Sequence, residues 1–395
     1  MQTYGGFVNH GLTPSNYLCP APLGSQKYYA MSAHHLFMVM ATLVFSCTPS
    51  DRNASLAPSI GGEYEVVVVV DDEMKAAPHV EALKAVLARA YPMLNQPEPW
   101  FSMRWIDVDN VNEMTRRERY LILLSPSQAS GKVRSMAMGI FGKEAIENTE
   151  RNGKAPMLTG SDAWVRPQSV MYWSGSSPEE LAKAIDQHAD KILSFFDQKE
   201  FARIHHMLFE HNRRTDLEAE AQTELGILLQ LPEIYEVAKL GKPNLLESYQ
   251  ELGIDGFKWY FSKSRHAFKN IAVWSEPYTD SVQLRRQQII DMRNKVLGTF
   301  VPCEDEGSVM GTETRFKDLM PQVEVVRLNG NYAVRTTGFW RAEGGFQGGP
   351  FVNYAIVDED KGRIIFADGS VAAKGQPKKK YVVRLKCILS TVKPI

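Results

Sequence analysis

Apolar positions first gather at Tyr64–Val70, where YEVVVVV is a continuous, largely β-branched run of the kind a buried strand carries. A helix is predicted over 76–91, with Val80, Leu83, Val86 and Leu87 on one face, ended by Pro92, Pro97 and Pro99. Further strands are predicted at 101–108, 120–124 and 170–173, whereas 126–168 reads as loop-rich. Ser177-Pro178-Glu179-Glu180 then opens a helix with a capping box and proline at the first helical position. Its core face is Leu181, Ile185, Ile192 and Phe196, and a second helical segment over 199–225 forms a joint.

Beyond the joint, a new set of elements starts at Ile234-Tyr235-Glu236-Val237. Strands are predicted at 257–261 and 271–275, then a helix over 280–297 ended by Gly298. Asn329-Gly330, between VEVVRL and NYAVRTTGFW, specifies a type I′ hairpin, because that turn needs two residues of positive φ. A second hairpin turns at Asp360-Lys361-Gly362, and Tyr381, Leu385, Ile388 and Val392 space out an amphipathic helix lying on the sheet. The pattern predicts an α+β chain of two lobes, 63–230 and 231–395, each a mainly antiparallel sheet with helices packed on one face. Tyr64-Glu65-Val66 and Trp173-Ser174 echo Tyr235-Glu236-Val237 and Trp274-Ser275, at spacings of 109 and 39 residues, which leaves duplication and coincidence both open.

Upstream of these elements, LFMVMATLVFSC at Leu36–Cys47 is too short to span a bilayer, which needs about 20 apolar residues. It suits the apolar part of a signal peptide covering 1–46, with Cys47 as the lipidated first residue of the mature chain. Residues 47–62 are rich in Ser, Pro, Asn and Gly, as a flexible tether is. Residues 1–30 have no clear period, and translation starting at Met31 and a long leader starting at Met1 are both compatible with them.

The formal net charge is -1, and the single Lys before Cys47 leaves 44 basic and 46 acidic residues in the mature chain. That balance gives no electrostatic reason for a nucleic-acid partner. Of the four cysteines, Cys19 falls in the leader and Cys47 is the lipidation site, which leaves Cys303 and Cys387, read as free thiols. No Cys/His cluster has zinc spacing, and no cofactor is expected.

Four stretches bear on chemistry. Asp71-Asp72-Glu73 ends an apolar strand, where acids hold Mg²⁺ in several α/β enzymes, although the same residues also favour the positive end of a following helix. His205, His206, Glu210 and His211 crowd one helix, with His206 and Glu210 on a shared face and His211 turned away by about 100°. The spacing matches neither HExxH nor HxxEH and reads as a solvated face. A GxSxG elbow is absent from the sequence. Gly338–Phe351 (GFWRAEGGFQGGPF) leads into a strand rather than a helix, so its glycines do not make a phosphate loop. It reads as a twisted hairpin, with Trp340, Arg341 and Phe346 as a candidate binding edge.

The run LNGNYAVRTTGFWRAEGGFQGGPFVNYAIVDEDKGRIIFADGSVAAKG, followed by KKKYVVRLKCILSTVKP, resembles a Bacteroidetes lipoprotein family known only as domain of unknown function 4837. The resemblance is read from about Cys47 to the C-terminus. It implies lipid anchoring at Cys47, in the outer membrane, and carries no activity or catalytic residues. The expectation is a non-enzymatic envelope lipoprotein that binds a protein or glycan partner. The alternative is a metal-assisted hydrolase using Asp71 and Asp72, or the His205–His211 cluster.

Overall fold

The continuous apolar runs of the first half fold into a mostly parallel sheet. The computed structural model describes residues 56–126, 129–152 and 157–395. Strands β1 (Glu65–Val70), β2 (Ser102–Asp107), β3 (Tyr120–Pro126), β4 (Met157–Ser161) and β5 (Ser169–Gly175) lie in the order β2-β1-β3-β5-β4. All neighbours are parallel except the edge strand β4. Helices α1 (Pro78–Leu87), α2 (Glu113–Arg116), α3 (Lys132–Phe141), α4 (Lys143–Asn152) and α5 (Pro178–Gln187) alternate with these strands. Val80, Leu83, Leu181 and Ile185 pack on the face of Val66, Val68, Ile122 and Trp173. Val133, Ala137 and Ile146 cover Val67, Val69, Leu121 and Tyr172 on the opposite face.

The α+β class stands, but this sheet differs from the antiparallel sheet with one helical face that the pattern suggested. Strands buried on both sides lose the alternation of two and read as unbroken apolar runs. The helices of the second face, α3 and α4, lie within the stretch read as loop. The N-cap half of the capping box predicted for α5 is present, with Ser177 Oγ accepting from the Glu180 amide at 3.2 Å and Pro178 in the first turn.

Helices α6 (Ala189–Phe209) and α7 (Thr215–Leu225) come next, so the segment predicted over 199–225 is broken between Phe209 and Thr215. A two-residue strand β6 (Ile227–Leu228) follows, then β7 (Glu236–Val237), α8 (Leu245–Leu252), β8 (Gly256–Lys263), β9 (Phe268–Pro277) and α9 (Arg286–Phe300). The rest is β10 (Val309–Thr312), β11 (Gln322–Leu328), β12 (Asn331–Glu343), β13 (Gly348–Asp358), β14 (Arg363–Ala372), α10 (Lys379–Leu389) and β15 (Lys393–Pro394), which pairs with β6. The large sheet runs β10-β12-β13-β14-β9-β8-β7, with β11 also beside β12, and every pairing is antiparallel. Asn329 and Gly330 take φ of 50° and 89°, as the I′ turn requires. Gly298 does not stop its helix, which continues to Phe300.

Both faces of this sheet are covered too. Val383, Leu385 and Ile388 of α10 belong to the same core as Ile271, Tyr354, Ile365 and Ala367, and as Ile204 of α6 and Val80 of α1. Ile289, Val296 and Phe300 of α9 pack with Trp274, Ala355 and Phe366 on the other side. The described residues accordingly form one compact unit. One parallel and one antiparallel sheet do not make a structural repeat, so the paired Tyr-Glu-Val and Trp-Ser landmarks mark no repeated fold.

Part of the stretch read as tether is pinned. Ile60 donates to Arg117 O at 2.9 Å and accepts from the Arg119 amide at 3.0 Å, and Ser59 donates to Arg166 O at 3.2 Å. The ordered body therefore begins before Glu63. The leader and Cys47 lie outside the described residues. Cys303 and Cys387 are free thiols, the latter buried.

Candidate functional site

Helix α9 turns one stripe to the sheet, and Ile289, Arg293, Val296 and Phe300 on it are all buried. An arginine in that apolar stripe needs partners, and the sheet supplies them. Thr336 on β12, Asn353 on β13 and Asp368 on β14 stand side by side, because Thr336 is registered with Asn353 and Asn353 with Asp368. Arg293 Nε donates to Asp368 Oδ2 at 2.7 Å and Nη2 to Oδ1 at 3.2 Å. Nη1 donates to Thr312 Oγ1 at 3.1 Å, whose own hydroxyl donates to Asn294 Oδ1 at 2.6 Å. The guanidinium also lies 3.8 Å from the centre of the Phe351 ring. Asn353 Nδ2 adds a third hydrogen bond to the carboxylate, at 3.2 Å to Oδ2.

This polar belt continues across the sheet. Ser370 shares its face with Asp368 and accepts from Asn270 Nδ2 at 3.4 Å, while Asn270 Oδ1 accepts from Trp259 Nε1 at 2.9 Å. Arg293 is 0% and Asp368 2% exposed. At such burial an ion pair costs several kcal/mol of desolvation per ion before its Coulomb gain, on the order of what the pairing returns. Two atoms of the belt stay without a hydrogen-bond partner among the described residues, Thr336 Oγ1 and Asn353 Oδ1. The sequence carries a signal for the belt that the reading of strands passed over. Asn353 interrupts FVNYAIV, Asp368 interrupts IIFADGSV, and Arg293 occupies a core position of its helix.

The residues singled out from sequence fall elsewhere. Trp340 is buried, with Nε1 donating to Val371 O at 3.1 Å, which removes it from the expected binding edge. Its alternate position on β12 turns it onto the α9 face with Val334 and Phe351. Arg341 is half-buried and pairs with Glu343 at 3.0 Å and more loosely with Glu313 at 3.9 Å. Phe346 is fully exposed in the β12–β13 turn, its amide donating to Asp305 Oδ2 at 3.0 Å.

Asp71 is buried at the end of β1, where it accepts from Ser130 Oγ, and Glu73 accepts from the Ser130 amide at 2.9 Å. Asp72 instead pairs with Lys75 in solvent, and that hydrogen bond holds its carboxyl below the usual range. His206 and His211 are exposed and approach Glu210 at 3.6 and 3.8 Å. His205 turns inward against Phe209 at 4.8 Å, and burial lowers its pKa. Among the described residues no three His, Cys, Asp or Glu side chains are grouped to hold a metal ion, and Asp71 and Asp72 engage separate partners, Ser130 and Lys75.

A surface feature does emerge at the outer edge of the antiparallel sheet. β10 and β11 both run beside β12 there, and Val309, Phe316, Val323, Val325 and Tyr332 on this edge are exposed, together with Phe346 at its corner. Leu328 and Asn331 flank the two-residue turn. The backbone groups of Val323, Val325 and Arg327 therefore point away from β12, at an edge that no strand among the described residues covers.

Residues 214–391 match the family model "Domain of unknown function (DUF4837)", and residues 59–209 match a different one, "Domain of unknown function (DUF8532)". The resemblance read from Cys47 onward thus covers the second half, and the first half carries its own domain. The division falls between α6 and α7. No curated protein matches the chain. Among solved structures, a human lipid transfer and protein localization domain of StarD13 (DLC2) is 12% identical, covering 46% of this chain and 96% of that one, with a TM-score of 0.14. A likeness at that score carries no argument about this chain.

Proposed function

We propose that the chain is a lipid-anchored envelope protein that binds a protein partner along the outer edge of its antiparallel sheet, without catalysing a reaction. The supporting observation is the concentration of exposed apolar side chains on that edge, from Val325 on β11 to the fully exposed Phe346. Exposed apolar surface beside unpaired strand backbone is what an added strand from a partner uses, with main-chain hydrogen bonds giving affinity and side chains giving selection. The Leu36–Cys47 signal and the resemblance to envelope lipoproteins support anchoring at Cys47.

The test is crosslinking and pull-down from intact cells with wild type, Phe346→Ala and Val325→Lys. Both variants keep the wild-type Tm and lose the same partner under this reading. Unchanged partner sets for both remove the edge from consideration.

A further inference from the structure

The two unpartnered atoms of the buried belt are neighbours. Thr336 and Asn353 are directly opposite on adjacent antiparallel strands, so their side chains share a face with Cβ atoms about 5 Å apart. Both residues are 0% exposed. Reorienting the amide does not relieve the mismatch, since Asn353 Nδ2 already donates to Asp368. Asn353 Oδ1 is then an acceptor needing a donor, while the Thr336 hydroxyl both donates and accepts. One guest hydroxyl, a donor and an acceptor at once, satisfies both. Arg293 and Asp368 bear on the chemistry: three of the five Arg293 N–H groups are engaged with Asp368 and Thr312, and the pair leaves no net charge beside Asn353 to hold an ionic guest.

We propose that Thr336 and Asn353 form a closed binding site for one small neutral hydroxyl-bearing molecule, which donates to Asn353 Oδ1 and accepts from the Thr336 hydroxyl. Water is the smallest such guest, and a retained small metabolite is the other source. The site lies one strand in from the partner-binding edge, Thr336 being registered with Val323 of β11, and does not rest on that reading.

Thr336→Val tests it, because the change keeps shape and removes only the hydroxyl. If a guest is bonded there, Tm falls by roughly 2 °C, and Thr336→Ser, which keeps the hydroxyl, holds more of the wild-type value. If the hydroxyl is an orphan, its removal raises Tm, which overturns the proposal. Water-oxygen magnetic relaxation and native mass spectrometry of the full chain, run on wild type and Thr336→Val, separate the sources. A long-lived water contribution lost in the variant identifies water. A mass adduct lost in the variant identifies a metabolite. Identical relaxation and identical mass adducts in the two proteins overturn the proposal.

Discussion

Arg293→Met isolates the cost of the buried belt. In the folded protein Asp368 receives three hydrogen bonds, two from Arg293 and one from Asn353 Nδ2, at 2% exposure. The methionine fills much of the same volume against Phe351 but leaves the carboxylate with Asn353 alone. An uncompensated buried charge of this kind costs about 3–5 kcal/mol. The double variant Arg293→Met with Asp368→Asn removes the charge as well as its partner, and is expected to recover at least half of that loss. Urea unfolding at matched m values gives the four corners of the cycle. A single-variant loss below about 1 kcal/mol would refute the claim that the pair is held dry and mutually dependent. A double-variant loss equal to the sum of the singles would do the same.

Other outcomes follow from particular groups. Burial raises the Glu276 carboxyl from its usual value to about 7, with Gln283 and Lys295 only partly offsetting it. The fold thus holds a proton that the unfolded chain releases near 4.5, so this group's contribution falls as pH rises from 4.5 to 7 and then levels off. Glu276→Gln should therefore raise Tm at pH 8 and change it little at pH 4. Mass spectrometry of the mature N-terminus should show acylated Cys47, whose two or three chains anchor stably, and an unmodified peptide spanning Ser46-Cys47 would count against anchoring. His206→Ala with Glu210→Ala should change stability by less than about 0.5 kcal/mol, because the pair is solvated.

Local rules made several elements legible in advance. Ser177-Pro178 and Asn329-Gly330 act through one turn of backbone, and both folded as their chemistry dictates. The direction of the first sheet was harder to read. Glu65–Val70 and Tyr120–Pro126 announce burial on both faces, but the partners of the second face, Val133, Ala137 and Ile146, sit in two short helices, of which α4 is largely polar and α3 lies between glycines. Trp340 shows the same limit at the level of a site. Its glycine-rich surroundings suggested exposure, whereas strand alternation and Val371 O place it inside. The belt became visible only through register, since nothing local tells that Thr336, Asn353 and Asp368 are neighbours or that Arg293 lies above them. The pattern divided the chain at 230/231, whereas the two family models meet between 209 and 214, and the two parts differ in sheet type.

The binding role rests on the β11 edge, and site-specific photocrosslinking in intact cells tests it most directly. A photoreactive side chain is placed at Val325 or Phe346, with His206 on the exposed face of α6 as the control position. The account predicts one discrete protein adduct shared by Val325 and Phe346 and missing from His206. The same adducts at all three positions, or none at the two edge positions, would contradict it.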